Sequence, residues 1–125
     1  MRTLHMLHKL EVAPGDTGST VRNGFKWADL KKGEYIELCV CTPVSTNEAN
    51  GLPVDFNAEH NVEGRGIVDK LWFGYFRDIP AWYISFEHEL RSRIYWGLFD
   101  SMRYAYGRDF GEHSPVTVIL YTRIK

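Results

Sequence analysis

The chain predicts an α+β, mainly β fold: a small, partly open barrel closed by one main helix. Short strand-like runs separated by turn residues recur along its 125 residues, and only one late stretch repeats apolar residues at helical spacing. A third observation is one long run holding Gly64, Gly66 and Gly74, which allow the bulges that barrels need at their corners. The length suits one domain over 1–125.

Leu4 to Val12 reads as the first strand, closed by Pro14, Gly15, Asp16 and Gly18. Thr20 to Arg22 is a second, very short one, ended by Asn23-Gly24, a pair that tolerates positive φ. Lys31-Lys32-Gly33 turns the chain into Tyr35 to Thr42, a strand with Ile36, Leu38 and Val40 on one face. Residues 43–61 hold two prolines and four asparagines without periodicity, so they read as a long loop and a candidate lid. Val62 to Phe76 follows as a long or bent strand, and Val116 to Ile124 supplies the closing one.

The helix has its own signals. Ser85 caps it, Glu87 and Glu89 complement the dipole in its first turn, and Gly107 ends it. Ile94, Leu98 and Met102, beside Tyr95, Phe99 and Tyr106, form its buried stripe. Pro80 suits the start of a shorter preceding turn. If the main helix runs from Glu87, a step of about 100° per residue puts Glu87 and Arg91 on the buried side. Glu89, Arg93, Trp96, Asp100 and Arg103 then face solvent, with Glu89 and Arg93 as an exposed pair.

Composition narrows the function. A net charge of −1 and a pI near 6.5 exclude a generally basic nucleic-acid coat, so any polyanion must be met by a local patch. No apolar run approaches the roughly 18 residues that span a bilayer, and His5, His8 and Lys9 interrupt the N-terminus too early for a leader. A cytoplasmic protein without a membrane partner is expected. Cys39 and Cys41 share one strand face at a spacing that suits neither a mutual disulfide nor a metal site. No phosphate loop, nucleophile elbow or His-Glu-x-x-His motif occurs, and the five histidines read as solvated or hydrogen-bonded, so neither metal nor cofactor is expected.

The order of motifs resembles the ASCH family of PUA-like barrels. Gly15-Asp16-Thr17-Gly18-Ser19-Thr20-Val21-Arg22 is similar to its N-terminal Gly-x-Lys-Thr-x-Thr-Ile-Arg segment, and Lys32-Gly33-Glu34 to its turn into a strand. Gly64-Arg65-Gly66-Ile67-Val68 resembles its middle strand and Pro115-Val116-Thr117-Val118-Ile119 its last. The resemblance implies a cleft between barrel and helix that binds RNA or a modified nucleoside, with Thr20 and Arg22 at its mouth. An arginine there suits a phosphate or a guanine edge; it equally suits a tie to Glu87 or Asp29.

Relatives in that family include amidohydrolases that deacetylate acetylated cytidine with a lysine, a threonine and a glutamate. The threonine matches Thr20. The glutamate matches Glu87 or Glu89, and helical phase favours Glu87, which gives Glu87 and Thr20 as the catalytic candidates. The lysine position holds Thr17, which has neither a titrating amine nor a positive charge, and Lys9, Lys26 and Lys70 are the substitutes available. Binding candidates are Arg22, Thr20, Trp27, Arg91, Trp72 and Lys26, because rings stack bases and cations meet phosphates. A protein-interaction module presenting exposed aromatics such as Trp96 is a third reading.

Overall fold

The computed structural model describes residues 1–7, 10–41 and 60–125. Five strands, β1 (Arg2–Leu7), β2 (Thr17–Asn23), β3 (Tyr35–Cys41), β4 (His60–Tyr75) and β5 (Pro115–Arg123), form one sheet in the order β1-β3-β4-β5-β2. β1 is parallel to β3 and the other neighbours are antiparallel. The sheet curls into a half-barrel whose edges are β1 and β2. Most of the expected loop, residues 43–59, lies outside the described residues, while His60 and Asn61 already belong to β4.

β5 is not the closing strand but lies between β4 and β2. Its nearly unbroken apolar sequence follows from this, because a strand covered on both faces has no reason to alternate. Val116, Val118 and Leu120 join Val21, Phe76, Leu98 and Met102 in one core cluster. Ile119 and Tyr121 point the other way, into a second cluster with Leu4, Ile36, Leu38 and Val68. β4 bends at two bulges, one skipping Glu63 beside Gly64 and one at Asp69, whose carboxylate accepts a 2.7 Å hydrogen bond from Thr122. Gly64 also lets the Lys125 carbonyl oxygen pass where a Cβ would stand.

The helical region departs most from expectation. Helix α1 covers Ala81–Ile84, with Pro80 at its N-cap, and helix α2 covers Tyr95–Tyr106. Glu87 and Glu89 therefore precede α2, and the Ser85 hydroxyl donates to the Trp82 carbonyl instead of capping it. The edge of β2 is the physical cause. Ser19 N–H donates to the Phe86 carbonyl (2.6 Å) and His88 N–H to the Ser19 carbonyl (3.0 Å), which draws residues 86–88 into an extended segment. A free strand edge outweighs weak helix propensity. Ile94 becomes the exposed N-cap, whereas Leu98, Met102 and Ala105 keep the buried stripe and Gly107 (φ 92°) ends the helix as expected.

Tyr95 opens α2 against Phe76, and its hydroxyl donates to the Glu112 carboxylate. Burial first, then that carboxylate, pushes its pKa up to about 12. The folded state thus holds this proton more tightly than the unfolded chain. Its contribution is fully present below the ordinary tyrosine value of 10.0 and is lost as pH rises towards 12. An alkaline titration should show unfolding denaturant midpoints falling over this window, and Tyr95→Phe should flatten that fall. An equal fall in the variant would contradict the assignment.

Candidate ligand cavity at the barrel seam

The free edges β1 and β2 leave a seam, which is filled in two ways. At one end the Arg22 side chain crosses it, Nη1 donating to the His5 carbonyl at 2.6 Å. Further along, residues 86–88 act as a short filler strand: Ser19 pairs with them on one side, and on the other Glu11 N–H donates to the His88 carbonyl at 2.7 Å. Arg93 fastens this segment from outside, donating to the Glu87 carbonyl (2.8 Å) and the Glu11 carbonyl (2.7 Å).

Between seam and α2 lies a cavity of about 60 Å³, part of about 500 Å³ of atom-free space that includes its open mouth. His5, Met6, Thr20, Val21 and Arg22 form its strand wall. Leu98, Ser101, Met102, Ala105 and Tyr106, one stripe of α2, form the opposite wall. Glu87, His88, Glu89 and Ser92 close it from the connecting segment. Register explains the strand wall, since Thr20 and Arg22 are two residues apart and share a face opposite Ile119 and Thr117.

The polar atoms here are incompletely matched. Arg22 Nε and Nη2 are buried and find no hydrogen-bond partner among the described residues, and the same is true of Glu87 Oε2. Glu87 is 2% exposed, yet no ion pair joins it to Arg22. Glu87 Oε1 touches His88 Nδ1 without forming a hydrogen bond, which leaves Nδ1 unsatisfied among the described residues. Behind the wall the buried Tyr121 hydroxyl also lacks a partner among the described residues; burial, reinforced by the negative charge of Glu87, pushes its pKa far up. Folded proteins pair nearly all such atoms, and each buried orphan costs about 1–3 kcal/mol.

Thr20, Arg22 and Glu87 thus meet in one cavity, and the other candidates do not line it. Trp27 packs partly buried behind Arg22, whose Cζ lies 5.9 Å from its ring centre, and Lys26 Nζ approaches the same ring at 5.7 Å. Trp72 packs against the Phe76 cluster. Arg91 projects outward and pairs with Glu89, which replaces both the expected Glu89–Arg93 pair and a Glu87–Arg91 pair. Asp29 is engaged by Arg2, at 2.5 Å, not by Arg22. Thr17 opens onto a separate groove with Asp16, Phe86 and Arg93. No family model, curated protein or solved structure matches the chain.

Sequence reasoning missed His5, His88, Ser92, Ser101 and Tyr106 as wall residues, and Glu89, the alternative family glutamate that helical phase turned to solvent, is buried in the wall. One signal was present: Ser101 is a polar residue within the apolar stripe of α2, and it bonds Ser92 at 2.8 Å across the cavity floor. Among the described residues no group of three His, Cys, Asp or Glu is placed to hold a metal ion, Cys39 is a buried free thiol, and no helix is long and apolar enough to cross a membrane.

Proposed function

We propose that the seam cavity binds a nucleobase, presented by RNA or by a modified nucleoside, within a domain of the PUA-like barrel class related to the ASCH family. The observation that carries this reading is that Arg22 and Glu87, which retain two buried donors (Nε and Nη2) and one buried acceptor (Oε2) without partners among the described residues, line a single cavity. A flat heterocycle offers acceptors and an amino group along one edge. Guanidinium forks take acceptor pairs, carboxylates accept from exocyclic amines, and Leu98, Met102 and Ala105 supply an apolar wall for the ring. The order of motifs and the half-barrel with one main helix support the family assignment.

Titration with the four ribonucleosides, N4-acetylcytidine and a mixed-sequence single-stranded RNA tests it. Binding is expected, with RNA affinity falling as salt rises, and Glu87→Gln should weaken it by about tenfold or more, the loss of one charged hydrogen bond. Absence of binding across the panel would overturn the reading.

One contact favours a second reading, hydrolysis of an N-acylated cytidine-type base. Glu87 lies against the His88 imidazole inside the cavity, and such a pair offers water a proton acceptor. No lysine lines the cavity among the described residues, so His88 would take the place of the family's amine. Acetate release from N4-acetylcytidine, lost in Glu87→Gln, is the expected result; no release by the unaltered protein would remove it.

A further inference from the structure

Arg22 belongs to two environments at once. Its guanidinium lines the seam cavity and also stands beside Trp27, where two more cations gather. Arg2 Cζ lies 4.5 Å from the Trp27 ring centre and Lys26 Nζ 5.7 Å. Three positive groups around one indole repel one another, and the ring's negative face offsets only part of that. The single carboxylate in the cluster, Asp29, is taken by Arg2. Arg22 and Lys26 have no ion-pair partner among the described residues, in a chain whose net charge is −1. Positive charge is therefore concentrated here against the average of the molecule.

Two exposed aromatic rings extend this end of the barrel. Phe25 and Phe73 are 53% and 44% exposed and meet edge to face, with centroids 6.2 Å apart. Phe25 adjoins Lys26 in the chain, and Phe73 pairs in register with Thr117, the residue that also faces Arg22. An anion inside the cavity itself would meet Glu87 and be repelled. Beside Trp27 it meets Arg2 and Lys26, and the neighbouring Asp29 is already occupied by Arg2.

We propose that the Arg2–Lys26–Trp27 cluster is a phosphate subsite, so that the ligand is a nucleotide or a nucleotide within a single strand, its base in the seam cavity and its phosphate against Lys26 and Arg2. This rests on the base-binding reading of the cavity. Arg22 joins the two parts. Phe25 and Phe73 would stack a neighbouring base of a strand.

Isothermal titration with ribonucleosides, their 5′- and 3′-monophosphates and an eight-nucleotide single-stranded RNA tests the subsite. One of the monophosphates should bind about tenfold tighter than its nucleoside, an advantage that shrinks with salt. Lys26→Gln, an exposed and structurally tolerant change, should remove most of that advantage and leave nucleoside affinity alone. Asp29→Asn should act in the opposite direction by freeing Arg2, a gain that a merely structural role would not produce. A further advantage of the RNA over the monophosphate, lost in Phe73→Ser, assigns the source to a strand; equal affinities assign it to the free nucleotide. Nucleosides binding as tightly as monophosphates, or Lys26→Gln weakening both equally, would overturn the subsite while leaving the cavity reading intact. If no compound binds, both fall together.

Discussion

Replacing Gly97 by alanine is expected to destabilise the fold by about 1–3 kcal/mol, although alanine is the better helix former by about 1 kcal/mol. The Arg91 carbonyl oxygen occupies the place where the new Cβ would stand, and an Ile94 side-chain carbon lies 3.3 Å from it. The obstacle is backbone, so it cannot be relieved by a rotamer change. Arg91 sits in a tight turn held by Ser92 N–H to the Glu89 carbonyl (3.0 Å) and Arg93 N–H to the Leu90 carbonyl (3.1 Å). Moving that turn away from α2 separates Ser92 from Ser101 and shifts Glu89, all three cavity residues. Urea unfolding should therefore show a lowered midpoint, and ligand affinity should fall with it. A variant as stable as the parent would mean that turn and helix pack with slack.

Arg22→Met is expected to separate binding from stability. The change removes the bond to the His5 carbonyl, which bridges the seam, and a charged hydrogen bond of this kind contributes about 1.5–3 kcal/mol. It also removes two buried, unpartnered donors, each of which costs a similar amount while it stays unpaired. The terms oppose, two orphaned donors against one bond, so the unfolding free energy should not fall by more than about 1 kcal/mol, while affinity for the cavity ligand should fall by about a hundredfold. Thermal melts and titrations on one preparation check this. Stability falling by more than about 3 kcal/mol with binding preserved would make Arg22 a clip across the seam.

β3 and β5 were legible because their signals are local, whereas β1 covers Arg2–Leu7 and not Leu4 to Val12, and β2 covers Thr17–Asn23 and not the three residues from Thr20 to Arg22. Alternation in Tyr35 to Thr42 and the apolar run after Pro115 place β3 and β5 within a residue or two of where they lie. The start of the main helix was not legible. Ser85, Glu87 and Glu89 carry a helix N-terminal pattern, and nothing local reveals that the Ser19 backbone will capture residues 86–88. Which strands end up as edges is a property of the whole sheet topology, as is the interior position of β5.

The candidate site shows the same division. Thr20 and Arg22 share a face because strand period requires it. Glu87 reaches their cavity by strand pairing, not by the helical phase that suggested it, and its carboxylate lies against His88, a contact between chain neighbours that neither strand alternation nor helical phase accounts for. Trp72 was chosen for residue type and went to the core, whereas Arg91 was placed on the buried side by a helical phase that fails because α2 begins only at Tyr95, and it went to Glu89.

The central claim is that Arg22 and Glu87 hold one ligand between them. A double-mutant cycle with Arg22→Met and Glu87→Gln, read as the affinity for the tightest-binding compound of the nucleoside and RNA panel, tests it most directly. The account predicts that the double variant binds hardly worse than Arg22→Met alone, a coupling above about 1 kcal/mol. Losses that add to within about 0.5 kcal/mol, or single variants that bind as well as the parent, would contradict it.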